Sequence, residues 1–216
     1  MFENIDTFIF DFDNTIVDED YWIKNRWKKT IIFCEKELNI NEFGIHFWNV
    51  YKKKGPRYKF HINDVCEILS FSKNYIKIIV NNFLNQQFKD KYLENFYKFF
   101  SLIKKKNKTA LITNGIKEIQ KQRLSDIDIL KEFDHIVYGD KLKKPSIKIF
   151  TKTIRLLDSS IERSIYIGDN YEIDCIAPLR LGMKALHLTN NPINIVNKNY
   201  YFFKTYNDLI DIYNGA

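Results

Sequence analysis

The sequence predicts an α/β fold: a doubly wound parallel sheet with a group of helices inserted after its first strand. Three observations support this prediction. A chain of 216 residues with 45% hydrophobic side chains is long and apolar enough to build a substantial core. Strand and helix signals alternate through the C-terminal half, whereas the stretch from about residue 20 to residue 89 has helical periodicity and no strand signal. The first strand must therefore join the later ones, which makes the helical stretch an insertion.

The first strand is an apolar run, Phe8-Ile9-Phe10, that ends in two acids within Asp11-Phe12-Asp13-Asn14-Thr15. Such a run is typical of a strand buried on both faces. Side chains two residues apart on extended backbone point the same way, which suggests that Asp11 and Asp13 lie close together. Two crowded acids require a positive partner, and Mg²⁺ prefers carboxylates combined with phosphate oxygens.

The inserted stretch contains four amphipathic segments. Apolar side chains recur every three or four residues, as at Ile23, Trp27 and Ile31, so that each segment has one apolar stripe. The predicted helices cover residues 21–38, 41–54, 63–69 and 72–84.

Strands and helices then alternate to the end of the chain. The predicted strands are 108–112, 135–138, 164–167, 184–188 and 200–203, and the predicted helices are 91–106, 117–124, 147–157, 173–181 and 207–213. Ligands of open parallel sheets bind beyond the carboxyl ends of the strands. Each conspicuous polar cluster of this chain follows a predicted strand, and we therefore expect the clusters to converge on one site.

Three further clusters accompany the pair of acids. Thr113-Asn114-Gly115 follows the strand 108–112, where a hydroxyl and backbone N–H groups are suited to holding phosphate oxygens. Taken alone, the same tripeptide is also an ordinary turn. Lys144-Pro145 opens a helix, and its ammonium offsets negative charge if it reaches the acids; Lys143 is the weaker candidate. Gly168-Asp169-Asn170 ends another strand, and Asp174 lies one turn into the next helix.

In this order, the four clusters resemble the four signatures of the haloacid dehalogenase (HAD) superfamily of phosphohydrolases. The resemblance implies a Rossmann-like core in which Asp11 is the nucleophile and forms an aspartyl phosphate. It implies that Asp13 is the general acid and base. Members of the superfamily that break carbon–halogen bonds lack this second aspartate and the metal, so Asp13 favours phosphoryl transfer.

The resemblance also implies a set of binding residues. Substrate phosphate would be held by Thr113, Asn114, Gly115 and Lys144. Mg²⁺ would be held by Asp11, the backbone carbonyl of Asp13, and Asp169. Asp174 would stand behind them, orienting Lys144 or holding metal-bound water. Because the chain departs from the family pattern around Ile173 and Ile176, the duties of Asp174 and Glu172 stay open.

The position of the insertion, between the first and second signatures, resembles a helical (type C1) cap. We therefore predict a core domain of residues 1–17 and 90–216 and a cap domain of residues 18–89. A cap of this kind excludes water and contributes substrate contacts. Arg57, in a loop of the insertion, is either one of those contacts or a solvated arginine.

The predicted function is a magnesium-dependent phosphatase of a small phosphorylated metabolite, either a sugar phosphate or a nucleoside monophosphate. Two alternatives stay open. One is a phosphosugar mutase of the same family, and the other is a phosphate-binding regulatory protein without turnover, although a binding module has no need of Asp13.

Composition and charge exclude other classes. The net charge is +7, but the lysines are spread along the chain, and we expect no nucleic-acid partner. No apolar stretch is long enough to cross a bilayer and no signal pattern stands at the start, so we expect a cytoplasmic protein without a membrane partner. Three scattered cysteines indicate neither a disulfide framework nor a zinc site. Monomer and homodimer both stay open.

Overall fold

The computed structural model describes residues 1–55, 58–86 and 89–215. The chain divides into two compact units. Met1–Asp18 and Asp90–Ala216 form the α/β unit, and Glu19–Lys89 form the helical unit. Arg57, which the sequence offers as a substrate contact, lies outside the described residues.

The elements alternate as the sequence predicts. In chain order they are β1 (Thr7–Phe10), α1 (Glu19–Lys36), α2 (Phe43–Lys54), α3 (His61–Ile68), α4 (Lys73–Asn85), α5 (Phe96–Lys104), β2 (Lys108–Asn114), α6 (Lys117–Asp126), β3 (His135–Gly139), α7 (Ile147–Leu156), β4 (Ser164–Gly168), a π-helical turn (Tyr171–Cys175), α8 (Ile176–Leu181), β5 (Lys184–Leu188), β6 (Tyr200–Phe203) and α9 (Tyr206–Tyr213). Across the described residues, no helix has both the length and the apolar character that a membrane span requires.

The described strands of the α/β unit form one six-stranded sheet in the order β3-β2-β1-β4-β5-β6. All neighbouring strands run parallel. The short first strand is central, with Ile9 opposite Ala110 of β2 on one side and Tyr166 of β4 on the other. The predicted α/β fold with a parallel sheet is confirmed, and the acids that follow β1 stand in the middle of the sheet's carboxyl edge.

Alternate residues of β1 face two different cores, as the two-residue period of a strand requires. Phe8 and Phe10 join a cluster with aromatic and aliphatic side chains of α5, α6 and α9. Ile9 joins a second cluster with side chains of α7 and α8. Helices thus cover both faces of the sheet, which explains why all four residues of β1 are buried and why Phe8, Ile9 and Phe10 are consecutively apolar.

The helical unit has its own core, centred on Trp27. The ring of Trp27 stacks on Phe83 with centroids 4.0 Å apart and lies 4.4 Å from the ring of Phe47. The third helix begins at His61, two residues before its predicted start. The imidazole of His61 is buried and stacks on the Tyr51 ring at 5.2 Å, so a polar residue takes part in the aromatic core.

The predicted helix 91–106 begins only at Phe96. The residues before it form backbone pairs with the connection that leaves β1. Lys91 accepts a hydrogen bond from the N–H of Asp18, and Leu93 donates one to the carbonyl of Ile16, at 2.9 Å each. Helical periodicity continues through this segment, but backbone groups paired in this way are not available to a helix.

The predicted helix 173–181 is also modified at its start. Asn170 accepts hydrogen bonds on its side-chain oxygen from the N–H groups of Glu172 and Ile173, at 3.1 and 3.2 Å. These bonds cap a π-helical turn, and the regular helix α8 follows it. The wider turn places Asp174 beside the end of β4.

Candidate active site

The side chain of Lys144 lies at the centre of the site. Its ammonium donates to Asp11 Oδ1 at 2.5 Å, to Asp174 Oδ1 at 2.7 Å and to the hydroxyl of Tyr166 at 2.9 Å. Lys144 is buried, whereas the neighbouring Lys143 is exposed, so Lys144 is the lysine that reaches the acids. Three distant chain segments therefore meet at one ammonium group.

Asn114 fixes the backbone of Lys144. Its side-chain oxygen accepts from the Lys144 N–H at 3.0 Å, and its amide nitrogen donates to the Lys144 carbonyl at 3.2 Å. Gly139 leaves the space that this requires, because a Cβ there would lie 2.3 Å from the Asn114 side-chain oxygen. The Asn114 side chain is thus engaged in positioning Lys144. Of the groups predicted to bind phosphate in this segment, the Thr113 hydroxyl and the main-chain N–H groups stay as candidates.

Asp174 supports Lys144 from the other side. Its Oδ1 accepts from Lys144 and, at 3.2 Å, from the hydroxyl of Tyr166, while Oδ2 accepts from the N–H of Asn170 at 3.1 Å. Gly168 allows this approach, since a Cβ there would lie 2.4 Å from the Cβ of Asp174. These contacts are those that an orienting role for Asp174 requires. Glu172, whose duty the sequence left open, is exposed.

Burial and charge work against each other in this cluster. Burial is the main reason why the pKa of Asp11 is raised well above its usual range; Lys144 opposes the shift and Asp174 adds to it. Burial would lower the pKa of Lys144, but the neighbouring Asp11 and Asp174 outweigh it and raise that pKa. Two buried carboxylates share one ammonium, which leaves an excess of negative charge when both are ionised.

A divalent cation fits this excess charge. Among the described residues, Asp11, Asp169 and Asp174 each offer a carboxylate oxygen, and the three oxygens lie within 4.8 Å of one another. Mg²⁺ takes oxygen ligands and is held by one or two carboxylates together with substrate phosphate. The donor set is therefore of the right chemistry. The predicted ligand of Asp13 is its backbone carbonyl, which is outside this set because the set consists of side-chain carboxylates.

His187 supports the backbone of Asp169, a contact that the sequence did not reveal. Its Nε2 lies 3.0 Å from the Asp169 carbonyl, and its Nδ1 lies 2.8 Å from the hydroxyl of Tyr200. Because a carbonyl only accepts, Nε2 carries the proton and Nδ1 accepts from Tyr200. The four histidines form no pattern in the sequence; the sheet order brings His187 beside the end of β4.

The carboxylate of Asp13 contacts a different group of residues. Arg123 Nη1 lies 2.7 Å from Asp13 Oδ1, and Gln120 donates to Oδ2 at 3.3 Å. Arg123 also binds Asp90, through Nε at 3.0 Å and Nη2 at 2.8 Å. These partners of Asp13 were not predicted from the sequence. One feature of the sequence could have indicated them: Gln120 and Arg123 are three residues apart on a predicted helix and so share a face.

A sequence model of the haloacid dehalogenase-like hydrolases matches residues 8–188. The chain belongs to this family. The predicted membership is therefore confirmed, and the match spans both units of the chain.

Two of the relatives are phosphatases by name. A phosphoglycolate phosphatase of Aquifex aeolicus is 29% identical over 181 residues, which cover 82% of this chain and 81% of the relative. A glyceraldehyde 3-phosphate phosphatase of Methanothermobacter thermautotrophicus is 24% identical over 200 residues, which cover 88% of each chain.

Solved structures with the same fold extend the likeness to nearly the whole chain. The HAD-hydrolase YfnB of Bacillus subtilis, solved bound to magnesium, superposes with a TM-score of 0.73 at 16% identity, covering 97% of this chain and 99% of YfnB. A 2-haloacid dehalogenase of Pseudomonas syringae superposes with a TM-score of 0.68 at 14% identity, covering 97% of this chain and 98% of the dehalogenase. The fold alone therefore does not separate dehalogenases from phosphatases.

Proposed function

We propose that the protein is a magnesium-dependent phosphatase that hydrolyses a small phosphorylated metabolite through an aspartyl phosphate on Asp11. The observation that carries this proposal is the buried contact of Asp11 with Lys144, backed by Asp174, at the carboxyl end of the central strand. Asp13, two residues after Asp11, supplies the second acid that phosphoryl transfer requires and that the dehalogenation branch lacks.

The predicted enzyme class, a phosphoric monoester hydrolase, is confirmed by the family match and by the relatives named as phosphatases. The choice of substrate is our proposal. Sugar phosphates and nucleoside monophosphates are the two predicted classes. Glyceraldehyde 3-phosphate, in the names of three relatives, is itself a sugar phosphate, and this favours the first class.

The proposed reaction has two steps. A carboxylate oxygen of Asp11 attacks phosphorus, the ester P–O bond breaks, and Asp13 gives a proton to the departing alcohol. Asp13 then takes a proton from water, which attacks the aspartyl phosphate, releases inorganic phosphate and restores Asp11. The bond between phosphorus and Asp11 thus forms in the first step, as the ester bond breaks, and breaks in the second step, as water binds phosphorus. The Asp11 carboxylate is regenerated.

The other residues supply charge and position. Lys144 offsets negative charge on Asp11 and on the phosphate oxygens, and it does so in a buried place where electrostatic interactions are strong. Asp11, the backbone carbonyl of Asp13, and Asp169 would hold Mg²⁺. When bound, Mg²⁺ supplies further positive charge to the phosphate oxygens.

The test is phosphate release from a panel of sugar phosphates and nucleoside monophosphates, with magnesium and with a chelator. We expect release that depends on magnesium and that Asp11→Asn lowers by about 10⁴-fold or more while the fold is kept. Asp211→Asn, in an exposed position on α9, is the matched control. Normal activity in Asp11→Asn would overturn the nucleophile assignment, and an isomeric phosphate as product would indicate the mutase.

A further inference from the structure

A chain of three charged groups, two of them buried, connects Asp13 to the segment that follows the helical unit. Asp90, the first residue of that segment, binds Arg123 through two hydrogen bonds, and Arg123 contacts Asp13. The side chains of Asp90 and Arg123 are 0% and 6% exposed, and that of Asp13 is 23% exposed. A two-point contact between guanidinium and carboxylate fixes the plane of the guanidinium group. In that position Nη1 lies within ion-pair distance of Asp13 Oδ1, which is buried.

Arg123 also contacts the residue between the two acids of the site. Its guanidinium carbon lies 4.8 Å from the centre of the Phe12 ring, within the range of a cation–π interaction. Phe12 is fully buried. One guanidinium group therefore holds both the ring of Phe12 and the carboxylate of Asp13, and in this way it fixes the backbone turn that follows Asp11.

Gln120 completes the set on the same face of α6. It accepts from Arg123 at 3.2 Å and donates to Asp13 Oδ2 at 3.3 Å and to the carbonyl of Asn114 at 2.9 Å. Next to Asn114, Gly115 has φ +122°, and a Cβ there would lie 3.0 Å from the Gln120 amide nitrogen. The amide thus ties the predicted phosphate turn to Asp13.

Stability alone is a poor reason for such a set. Removing charged groups from water is costly, and apolar replacements of similar volume are often as stable or more stable. The geometry, by contrast, has a direct consequence for the chemistry. Asp13 Oδ1 is buried and lies 2.7 Å from Arg123 Nη1, whereas Oδ2, among the described residues, has the longer contact with Gln120 at 3.3 Å.

We propose that Arg123, fixed by Asp90, is a positioning residue that holds Asp13 through Oδ1 and so leaves Oδ2 as the oxygen that transfers the proton. This inference rests on the proposed function, in which Asp13 gives a proton to the leaving alcohol and later takes one from water. In this role Arg123 acts through Asp13 and is assigned no chemical step of its own.

The test compares two esters in rapid-mixing experiments. An alkyl phosphate needs a proton on its leaving group, whereas 2,4-dinitrophenyl phosphate releases its phenolate without one. We expect Arg123→Met to lower the pre-steady-state rate of alcohol release from the alkyl phosphate by about 10²-fold, at little change in KM. The burst of dinitrophenolate should keep its rate, while the later steady-state rate falls because the second step also needs Asp13.

Two variants complete the experiment. Asp90→Asn keeps the size of the side chain, and we expect the same pattern with a smaller loss; it carries the test if Arg123→Met does not fold. Lys104→Met breaks an ion pair of the same unit, with Glu132 at 2.6 Å, and should leave both bursts unchanged.

The outcomes separate the two proposals. If the wild-type protein releases phosphate, and the variants lose the same pre-steady-state rate with both esters or lose none with either, the role of Arg123 alone is overturned. A wild-type protein that releases phosphate from neither ester would overturn the proposed function, and this inference with it.

Discussion

The two units of the chain bury polar groups in different ways. In the α/β unit, charged side chains are buried against partners from distant segments: Lys144 with two aspartates, and Arg123 with two others. In the helical unit, Arg26 is buried, and its guanidinium donates to the backbone carbonyls of Phe83 and Leu84. The described core of the helical unit is otherwise largely aromatic and aliphatic.

The apolar core of the helical unit and the buried charges of the α/β unit stabilise the chain in different ways. A core of rings and aliphatic chains stabilises a unit by removing apolar surface from water, without requiring any one partner. A buried charge requires its partner, because an uncompensated charge in the interior is costly. We therefore expect substitutions of the buried charged residues in the α/β unit to change activity and stability together, and substitutions in the helical core to change mainly stability.

Among the variants that test this comparison, Lys144→Met should have the largest combined effect, because it lowers both activity and stability. It leaves Asp11 and Asp174 without their shared cation, and the loss of one member of a buried charge set costs about 3–5 kcal/mol of unfolding free energy. Phosphate release should fall by about 10²-fold or more, because the charge that offsets the phosphate is lost. Denaturant titration and phosphate release measure the two effects. Lys143→Met, in the exposed neighbouring position, is the control, and wild-type activity in Lys144→Met would contradict the proposed site.

Trp27→Ala tests the other half of the comparison. The ring of Trp27 lies between those of Phe83 and Phe47, and its removal leaves a cavity that should cost about 3–5 kcal/mol. Urea unfolding followed by circular dichroism measures this loss, and a separate early transition would assign it to the helical unit. Phe60→Ala, at a side chain 55% exposed, should cost far less. Equal losses in the two variants would show that Trp27 does not organise this core.

The sequence predicts most of the fold because the hydrophobic pattern carries it. The apolar run of β1, the helical stripes after it and the later alternation are each local signals, and the parallel sheet follows from them. The meeting of Asp11, Lys144 and Asp174 could also be anticipated, since the carboxyl ends of parallel strands share one edge.

The rest depends on contacts that no local pattern encodes. Asp90 and Arg123 are ordinary charged residues in the sequence. Next to Asp90, residues 91–93 leave the predicted helix and pair with residues 16–18, a long-range contact like the pairing of Asp90 with Arg123. Likewise, the side chain of Asn114 holds the backbone of Lys144 only because β2 carries it there. Long-range pairs of polar groups are specified by the assembled sheet.

His61 gives the smallest effect and the sharpest comparison within the helical core. Burial lowers the pKa of its imidazole, and the backbone of Gly55, the Asp64 carboxylate and the backbone of Tyr58 oppose the shift only in part. The unfolded chain, with an ordinary histidine pKa of about 6.5, therefore binds more protons than the folded chain below that pH. Stability from His61 is complete above about pH 6.5 and is lost as the pH falls from there towards the lower folded pKa.

Urea midpoints at neutral pH and in mild acid measure this loss, which His61→Phe should remove. His187, in the α/β unit, also has a pKa lowered by burial, so His61→Phe should keep the part of the pH dependence that belongs to the other unit. If His61→Phe loses as much stability in acid as the wild type, the imidazole is not held neutral by its aromatic neighbours. The helical core would then tolerate a buried charge, and the contrast between the two units would weaken at that point.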